Sequence, residues 1–277
     1  MQDGAGRHGR PQSFAWPLAA AVHALTYGAS TLSRSRPMTR ALPKTFDRWK
    51  PLLERVEARG LVILALVSGA LFAFLSIAGE VREGDTHGFD EQILLWFRTP
   101  GDTANPIGPL WLELAFRDIT ALGGMTVLAL ITLAVVGYLL IARKRASALL
   151  VIGSVLGGVI LSSLLKLGFD RPRPDVVSHL VDVHTLSFPS GHAMLSAATY
   201  LTLGALLSRT EKSLVMRSYV VGVAIVLTLL IGTSRIFLGV HYPTDVLGGW
   251  SAGAAWALFC WWLARWLQHR GQVEPSG

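Results

Sequence analysis

The sequence predicts an all-α protein that crosses a membrane as a polytopic bundle of six transmembrane helices. Of the 277 residues, 51% are hydrophobic and only 16% are charged, whereas about a quarter of the residues are charged in a typical soluble domain. Several apolar runs approach the roughly 20 residues that a helix needs to cross a hydrocarbon core. Short basic clusters stand at the ends of these runs, where they act as topology signals.

Six apolar segments have the continuous hydrophobicity that is typical of a membrane-spanning helix. They cover approximately residues 61–78, 119–142, 149–165, 193–207, 219–233 and 246–267. The basic clusters precede the first segment, follow the second, join the fourth to the fifth and close the last, so all of them fall on one side. The positive-inside rule then predicts cytoplasmic N and C termini and outward-facing loops after segments one, three and five.

The segments divide the chain into one domain and two tails. Residues 58–269 are predicted to form the six-span domain, and residues 270–277 a short C-terminal tail. Residues 1–57 are mixed and basic, and their apolar patch at 14–27 is too short to count as a span, so we expect a cytoplasmic, partly disordered tail. Met38 offers a second possible start, which leaves open whether residues 1–37 are genuine.

Two features of the apolar regions concern packing. In the first outer loop, residues 89–97 have a mixed pattern, which predicts either a helix lying along the membrane interface with Trp96 as an anchor or an ordinary connecting helix. Glycines recur at four-residue spacing, which predicts close approach of helices. These glycines are Gly153, Gly157, Gly249 and Gly253.

Composition also excludes some classes of function. The net charge of +7 does not indicate nucleic-acid binding, because the basic residues serve the ends of apolar runs. Cys260 is the single cysteine and lies inside an apolar run, so it cannot form an intrachain disulfide and is poorly placed as a nucleophile. We interpret it as a lipid-facing or packed apolar residue.

Polar residues of chemical interest concentrate in two of the three outer loops. The first cluster is the segment 166–174, in which two prolines impose a stiff turn beside the membrane. Lys166 and Arg173, with Arg171 as a further candidate, offer cations suited to a phosphate group on a side where the positive-inside rule disfavours them. The alternative is that these basic residues merely flank a helix.

The second cluster is Pro189-Ser-Gly-His192, directly before the fourth segment. Ser190 can cap that helix, and Gly191 lets its backbone approach a ligand. Free N–H groups at a helix N-terminus form a natural phosphate site. Alone this motif indicates a helix cap more often than a site, and no nucleophile-elbow pattern supports a serine hydrolase.

The third cluster is the segment 234–245, with Arg235, His241 and Asp245. Pro243 fits the first turn of the sixth helix, which leaves His241 just outside it and Asp245 in its opening turn. A carboxylate so placed can hold an imidazole with one ring nitrogen free to attack. Alternatively, Asp245 serves the helix dipole alone. Zinc binding by the histidines is disfavoured, because Lys166, Arg173 and Arg235 would repel a dication.

Taken in order, the three clusters resemble the tripartite signature of the type 2 phosphatidic acid phosphatase superfamily, also called lipid phosphate phosphatases. The pattern is Lys, six residues, Arg-Pro; then Pro-Ser-Gly-His; then Ser-Arg, five residues, His, three residues, Asp. The likeness extends over about residues 61–267, and its spacing selects Arg173 over Arg171. Every position is filled, by Lys166, Arg173, Pro174, Pro189, Ser190, Gly191, His192, Ser234, Arg235, His241 and Asp245.

The resemblance implies a division of roles. His241 would attack phosphorus to form a phosphohistidine, Asp245 would orient it, and His192 would protonate the leaving alkoxide and later activate water. The phosphoryl oxygens would be held by Lys166, Arg173, Ser190, Gly191 and Arg235. The family is metal-independent, so neither a metal nor a cofactor is expected.

The expected partners are the bilayer and a lipid phosphate at the outer leaflet, which is periplasmic for a bacterial inner-membrane protein. Phosphatidylglycerophosphate, phosphatidate, undecaprenyl pyrophosphate and lipid A phosphates are all candidates, and the sequence ranks neither them nor the oligomeric state. A phosphotransferase stays open as an alternative. A vanadium-dependent haloperoxidase, related in its core, is disfavoured because those proteins are soluble, and a non-enzymatic carrier because the catalytic set is complete.

Overall fold

The computed structural model describes residues 58–183 and 185–269, without the side chains of residues 58, 59 and 267–269. The two predicted tails, with the apolar patch at 14–27, lie outside the described residues. The described chain forms helices in the following order: α1 Ala58–Glu83, α2 His87–Trp96, α3 Leu110–Ala121, α4 Met125–Ile141, α5 Arg145–Phe169, α6 Gly191–Ser208, α7 Leu214–Phe237 and α8 Pro243–His269.

A short antiparallel ribbon follows α2, although the sequence predicted helices alone. Its strands are β1 Arg98–Thr99 and β2 Asp102–Pro106, with Thr99 opposite Asp102. The turn between them contains Gly101, whose φ of +82° belongs to the left-handed region that favours glycine.

Four helices, α1, α5, α7 and α8, are long and apolar enough to cross a membrane. They contain the predicted spans 61–78, 149–165, 219–233 and 246–267, which are therefore confirmed as helices. Large apolar side chains on their outer faces are exposed, among them Phe72, Leu164 and Leu214. Such faces suit lipid, because a soluble protein rarely exposes so much contiguous apolar surface. The count of six crossings stays a prediction.

The predicted span 119–142 is not one continuous helix. α3 ends at Ala121, α4 begins at Met125, and the two are bent by 48° at the break; taken together they have the length and composition of a fifth span. Gly123 lies in the break, and a side chain there would collide with Ile231 of α7 and stand 3.3 Å from the His192 ring. The break therefore lets the chain pass close to the N-terminus of α6, where His192 lies.

Helix α6 contains the predicted span 193–207 and lies at the centre of the bundle. It contacts α5, α7 and α8, and α8 in turn packs against α1. Buried hydroxyls line it: Ser154 of α5 bonds the Ala198 carbonyl at 3.2 Å and the Thr202 hydroxyl at 2.8 Å. Because neighbouring helices shield α6 from lipid, polar side chains such as Ser196, Thr199 and Thr202 are buried along it.

Three of the four spaced glycines allow the close approach predicted for them. A Cβ at Gly253 would collide with the Met194 carbonyl oxygen and lie 2.8 Å from the Ala197 Cβ, both in α6. A Cβ at Gly249 would lie 2.7 Å from the Ser190 carbonyl oxygen, and one at Gly157 would collide with Trp256. Gly153 is different, since nothing lies within 4 Å of its Cβ position. The prediction was wrong for that residue.

This contrast gives a matched pair of substitutions. We expect Gly253→Ala to lower the free energy of unfolding by about 1–3 kcal/mol, because the new methyl group overpacks the α6–α8 contact. Gly153→Ala is expected to be neutral or stabilising by about 0.5–1 kcal/mol through helix propensity. Thermal unfolding of both variants in detergent measures the difference, and equal midpoints would contradict this account of the packing.

Candidate active site

The three polar clusters meet at one end of the bundle. Lys166 lies in the last turn of α5 and Arg235 in the last turn of α7, while His192 and Asp245 lie in the first turns of α6 and α8. These four helices run alternately up and down. The C-termini of α5 and α7 therefore lie at the same end of the bundle as the N-termini of α6 and α8. The predicted site residues are thereby brought together from three separate stretches of sequence.

His241 lies between α7 and α8 and is buried, with only 1% of its surface exposed. α8 begins at Pro243, as predicted, so Asp245 stands in its opening turn. The His241 Nδ1 atom is 3.4 Å from Asp245 Oδ2 and 3.4 Å from the Ser187 hydroxyl, which itself donates to Asp245 Oδ2. The carboxylate therefore faces the imidazole with a serine hydroxyl beside both.

The opposite side of the imidazole faces Arg173. The Arg173 Nη1 atom lies 3.3 Å from His241 Nε2 and donates to the Val240 carbonyl at 2.5 Å. Two further N–H groups of Arg173 donate to Thr185, at 2.7 Å to its carbonyl and 3.0 Å to its hydroxyl. Because a guanidinium only donates, the Nε2 atom of His241 is the accepting nitrogen, and the ring proton belongs on Nδ1 toward Asp245.

Burial and nearby cations keep His241 neutral. Burial is the largest cause, and the charges of Arg173, Arg235 and Lys166 add to it, so the pKa of His241 lies well below its ordinary value of 6.5. A neutral imidazole has a lone pair on Nε2. The ring is thus prepared to act as a nucleophile toward a group held among the cations.

The second cluster supplies donors that have no protein partner. Ser190 precedes α6, but its side chain makes no capping hydrogen bond, and its buried hydroxyl is unpartnered. The prediction that Ser190 caps α6 is right for its position and wrong for its hydroxyl. The buried Arg235 Nε is also unpartnered, while its Nη1 donates to Thr120 at 2.9 Å. Buried donors left free in this way suit the oxygens of an anionic ligand.

Lys166 and His192 complete the cluster. Lys166 donates to the Leu186 carbonyl at 2.5 Å, and its side chain passes 3.7 Å from the Cβ position of Gly191. Burial, and then the charges of Arg235, His241, Arg173 and Lys166, lowers the pKa of His192 to about 3. Gly191 is the first residue of α6, and the first N–H groups of a helix have no partner within it.

Arg171 does not face this cluster, although the sequence left it open as an anion-binding residue. Its Nη1 contacts Asp245 Oδ1 at 2.7 Å, its Nη2 contacts Asp90 Oδ2 at 2.7 Å, and its guanidinium lies 4.3 Å from the Tyr242 ring centroid. Burial lowers the pKa of Arg171, but the two carboxylates raise it by more, so the net shift is upward. The choice of Arg173 over Arg171 is consistent with this geometry.

Sequence reasoning missed Asp90 and Ser187. Asp90 lies in the segment 89–97, whose mixed polarity predicted a helix but drew no attention to one carboxylate within it. Ser187 stands two residues before the Pro189 motif, where a lone serine carries no signal. Only the contact with Asp245 distinguishes Ser187, and that contact is visible only in the folded chain.

Residues 147–269 match the PAP2 superfamily. Phosphatidylglycerophosphatase B of Bacillus subtilis is 32% identical over 181 residues, which are 65% of this chain and 85% of that protein. Undecaprenyl-diphosphatase of Bacillus subtilis is 38% identical over 101 residues, which are 34% of this chain and 45% of that protein.

A solved structure gives the same result for the fold. The crystal structure of a transmembrane PAP2-type phosphatidylglycerolphosphate phosphatase from Bacillus subtilis aligns with a TM-score of 0.65 and 28% identity, over 74% of this chain and 96% of that one. The apolar helices and these relatives together define an integral membrane protein of the phosphatase class. The chain belongs to the PAP2 superfamily.

The low pKa of His241 has a measurable consequence. If His241 is the nucleophile, only its neutral ring reacts, and we then expect kcat/KM for a lipid phosphate to stay on its plateau as pH falls through 6.5, the ordinary pKa of histidine, and to decline only below it. A 31P NMR titration of the micellar substrate measures the ionisation of the substrate phosphate, and the pH profile of kcat/KM is corrected for it. A half-loss at or above pH 6.5 would contradict the assignment.

Proposed function

We propose that this protein is a metal-independent lipid phosphate phosphatase that works through a phosphohistidine on His241. The observation that carries the proposal is the arrangement around one buried, neutral imidazole: Asp245 faces its Nδ1 atom, and Arg173 stands 3.3 Å from its Nε2 atom. A nucleophile with a carboxylate on one side and cations on the other fits attack on a phosphoryl group.

In the first step, the Nε2 lone pair of His241 forms a bond to phosphorus while the bond from phosphorus to the leaving oxygen breaks. The bound phosphate anion offsets the nearby cations that lower the pKa of His192, so this ring is protonated in the complex and gives its proton to that oxygen. The lipid then leaves as an alcohol or, from a diphosphate, as a monophosphate. Asp245 stabilises the positive charge that develops on the His241 ring.

In the second step, His192 takes a proton from water as the water oxygen attacks phosphorus. The bond between nitrogen and phosphorus breaks, its electron pair returns to His241, and inorganic phosphate leaves. Both histidines end in the states from which they began, so the cycle balances without any further reactant.

Cations of the protein itself supply the charge stabilisation in this scheme. Lys166, Arg173 and Arg235 surround the place where the phosphoryl oxygens would lie, and the Ser190 hydroxyl with the Gly191 N–H adds neutral donors. Among the described residues, no group of three His, Cys, Asp or Glu side chains is arranged to hold a metal ion. Fixed donors of this kind stabilise transferring phosphoryl charge by electrostatics alone.

We further propose that the site faces outward, at the periplasmic leaflet of a bacterial inner membrane, with both termini cytoplasmic. The basic clusters support this orientation. Trp96 is 66% exposed and Trp111 is 64% exposed near the same end, as expected for side chains at a membrane interface. The relatives act, by their names, on phosphatidylglycerophosphate and on undecaprenyl diphosphate. A lipid monoester or diphosphate is therefore the proposed substrate class.

The first test of function uses purified protein in detergent with a panel of lipid monophosphates and diphosphates plus a chelator. We expect release of inorganic phosphate from at least one lipid, and loss of activity in His241→Ala because the nucleophile is gone. His87→Ala, which removes an exposed histidine of α2, serves as the matched control. Strict magnesium dependence, full activity of His241→Ala, or a phosphorylated acceptor in place of free phosphate would contradict the proposal.

The acid role of His192 predicts a dependence on the leaving group. Because His192 is proposed to act in both steps, the test follows release of the leaving group in a single turnover, which reports the first step alone. We expect His192→Ala to lower the rate of that release by about 10²–10⁴-fold for an alkyl lipid phosphate, whose leaving oxygen needs a proton. The loss should be much smaller for an aryl phosphate such as p-nitrophenyl phosphate, whose leaving group departs unprotonated. Equal losses for the two substrates would show that His192 is not the acid.

A further inference from the structure

Asp90 is a fully buried carboxylate in α2, far in sequence from the catalytic clusters. Its Oδ2 accepts from Arg171 Nη2 at 2.7 Å and from the Thr244 hydroxyl at 2.7 Å. Its Oδ1 accepts from the Thr244 backbone N–H at 3.0 Å, in the first turn of α8. Asp90 therefore holds both Arg171 and the turn of α8 that carries Asp245.

Arg171 connects this carboxylate to the active site. Its Nη1 bonds only one oxygen of Asp245, Oδ1, at 2.7 Å. The other oxygen, Oδ2, stays free to accept from Ser187, from the Tyr242 backbone N–H at 2.9 Å, and to face His241 Nδ1 at 3.4 Å. Arg171 is thus shared between two carboxylates, and each takes one of its terminal nitrogens.

We propose that Asp90 is a positioning residue that keeps Asp245, and through it His241, in the reactive geometry. The physical reason is that Arg171 is shared between the carboxylates of Asp90 and Asp245. A guanidinium with a single carboxylate partner favours a two-point contact with both of its oxygens. Without the charge of Asp90, Arg171 would turn toward Asp245 and donate to its Oδ2 as well as its Oδ1. Oδ2 would then no longer be available to His241. This inference rests on the proposed role of His241 as nucleophile.

The contacts separate this role from phosphate binding. Asp90 bonds none of the residues proposed to hold phosphate, which are Lys166, Arg173, Ser190, Gly191 and Arg235. Loss of Asp90 should therefore impair the attack of His241 and leave the binding of an inert oxyanion unchanged. Orthovanadate adopts five-coordinate geometry when a nucleophile bonds to it, so it reports the placement of His241, whereas inorganic phosphate reports only the cations around it.

The experiment compares full-length wild type, Asp90→Asn, Asp90→Glu and Asp85→Asn in detergent. Asp85→Asn removes the same charge from an exposed position in the turn before α2 and is the matched control. We expect Asp90→Asn to weaken vanadate affinity, followed by 51V NMR, by about tenfold or more, with phosphate affinity unchanged. With a lipid phosphate that the wild type hydrolyses, we expect kcat of Asp90→Asn to fall about 10- to 100-fold while KM stays unchanged. Asp90→Glu should restore part of both losses.

The outcomes are distinguishable. Equal losses of vanadate and phosphate affinity in Asp90→Asn, or a kcat unchanged from wild type, would overturn the positioning role. If Asp90→Asn does not fold, the test uses Asp90→Glu, which keeps the charge and shifts the carboxylate. A loss of vanadate affinity that exceeds the loss of phosphate affinity supports the positioning role, and equal losses overturn it. Vanadate binding that depends on Asp90, in a protein that releases phosphate from no lipid, would sustain the positioning role and overturn the phosphatase proposal instead.

Discussion

Arg171 and its two carboxylate partners, Asp90 and Asp245, are the interaction on which the polar end of the bundle depends. Charges removed from water are tolerated only when they are paired and hydrogen-bonded. All three are buried, and the guanidinium gives one terminal nitrogen to each acid. The pair of contacts joins α2, the loop after α5 and the start of α8, so the helix ends keep a fixed arrangement.

Once Arg171 has taken these acids, the remaining cations are left with positive charge in excess. Lys166 and Arg173 donate chiefly to backbone carbonyls and Thr185, and Arg235 donates to Thr120. In the part of the chain that the structure describes, none of these three cations forms a salt bridge with a carboxylate. Arg235 is buried and Lys166 and Arg173 are half-buried, and such a set of cations without counter-ions attracts an anion. The pairing of Arg171 therefore also determines where an anion would bind.

Much of this site was predictable from the sequence, because its motifs carry their own geometry. Pro243 fixed the start of α8, and with it the relation of His241 to Asp245. Long apolar runs predicted α1, α5, α7 and α8 without knowledge of packing. The break between α3 and α4 was not predicted, because hydropathy stays high through the two glycines and only the contact of Gly123 with Ile231 and His192 explains it.

Asp90 was out of reach for a related reason. An acid in an amphipathic helix usually faces water, and nothing in the sequence near Asp90 indicates that Arg171 will cover it. Likewise, the hydroxyl of Ser190 resembled an ordinary cap in sequence, and only its unpartnered state shows otherwise. Local patterns predict elements, whereas pairings between distant residues require the folded chain.

The participation of α2 and α8 in one ion-paired cluster has a consequence for biogenesis. Residue 90 is synthesised long before residue 245. During insertion, Asp90 has no counter-charge until Arg171 has been synthesised, and Arg171 has no second carboxylate partner until α8 is in place. The nascent chain must keep these groups hydrated at the membrane surface during that interval. The cluster is complete only when the final helix docks, so a chain arrested before that point leaves Asp90 and Arg171 without Asp245.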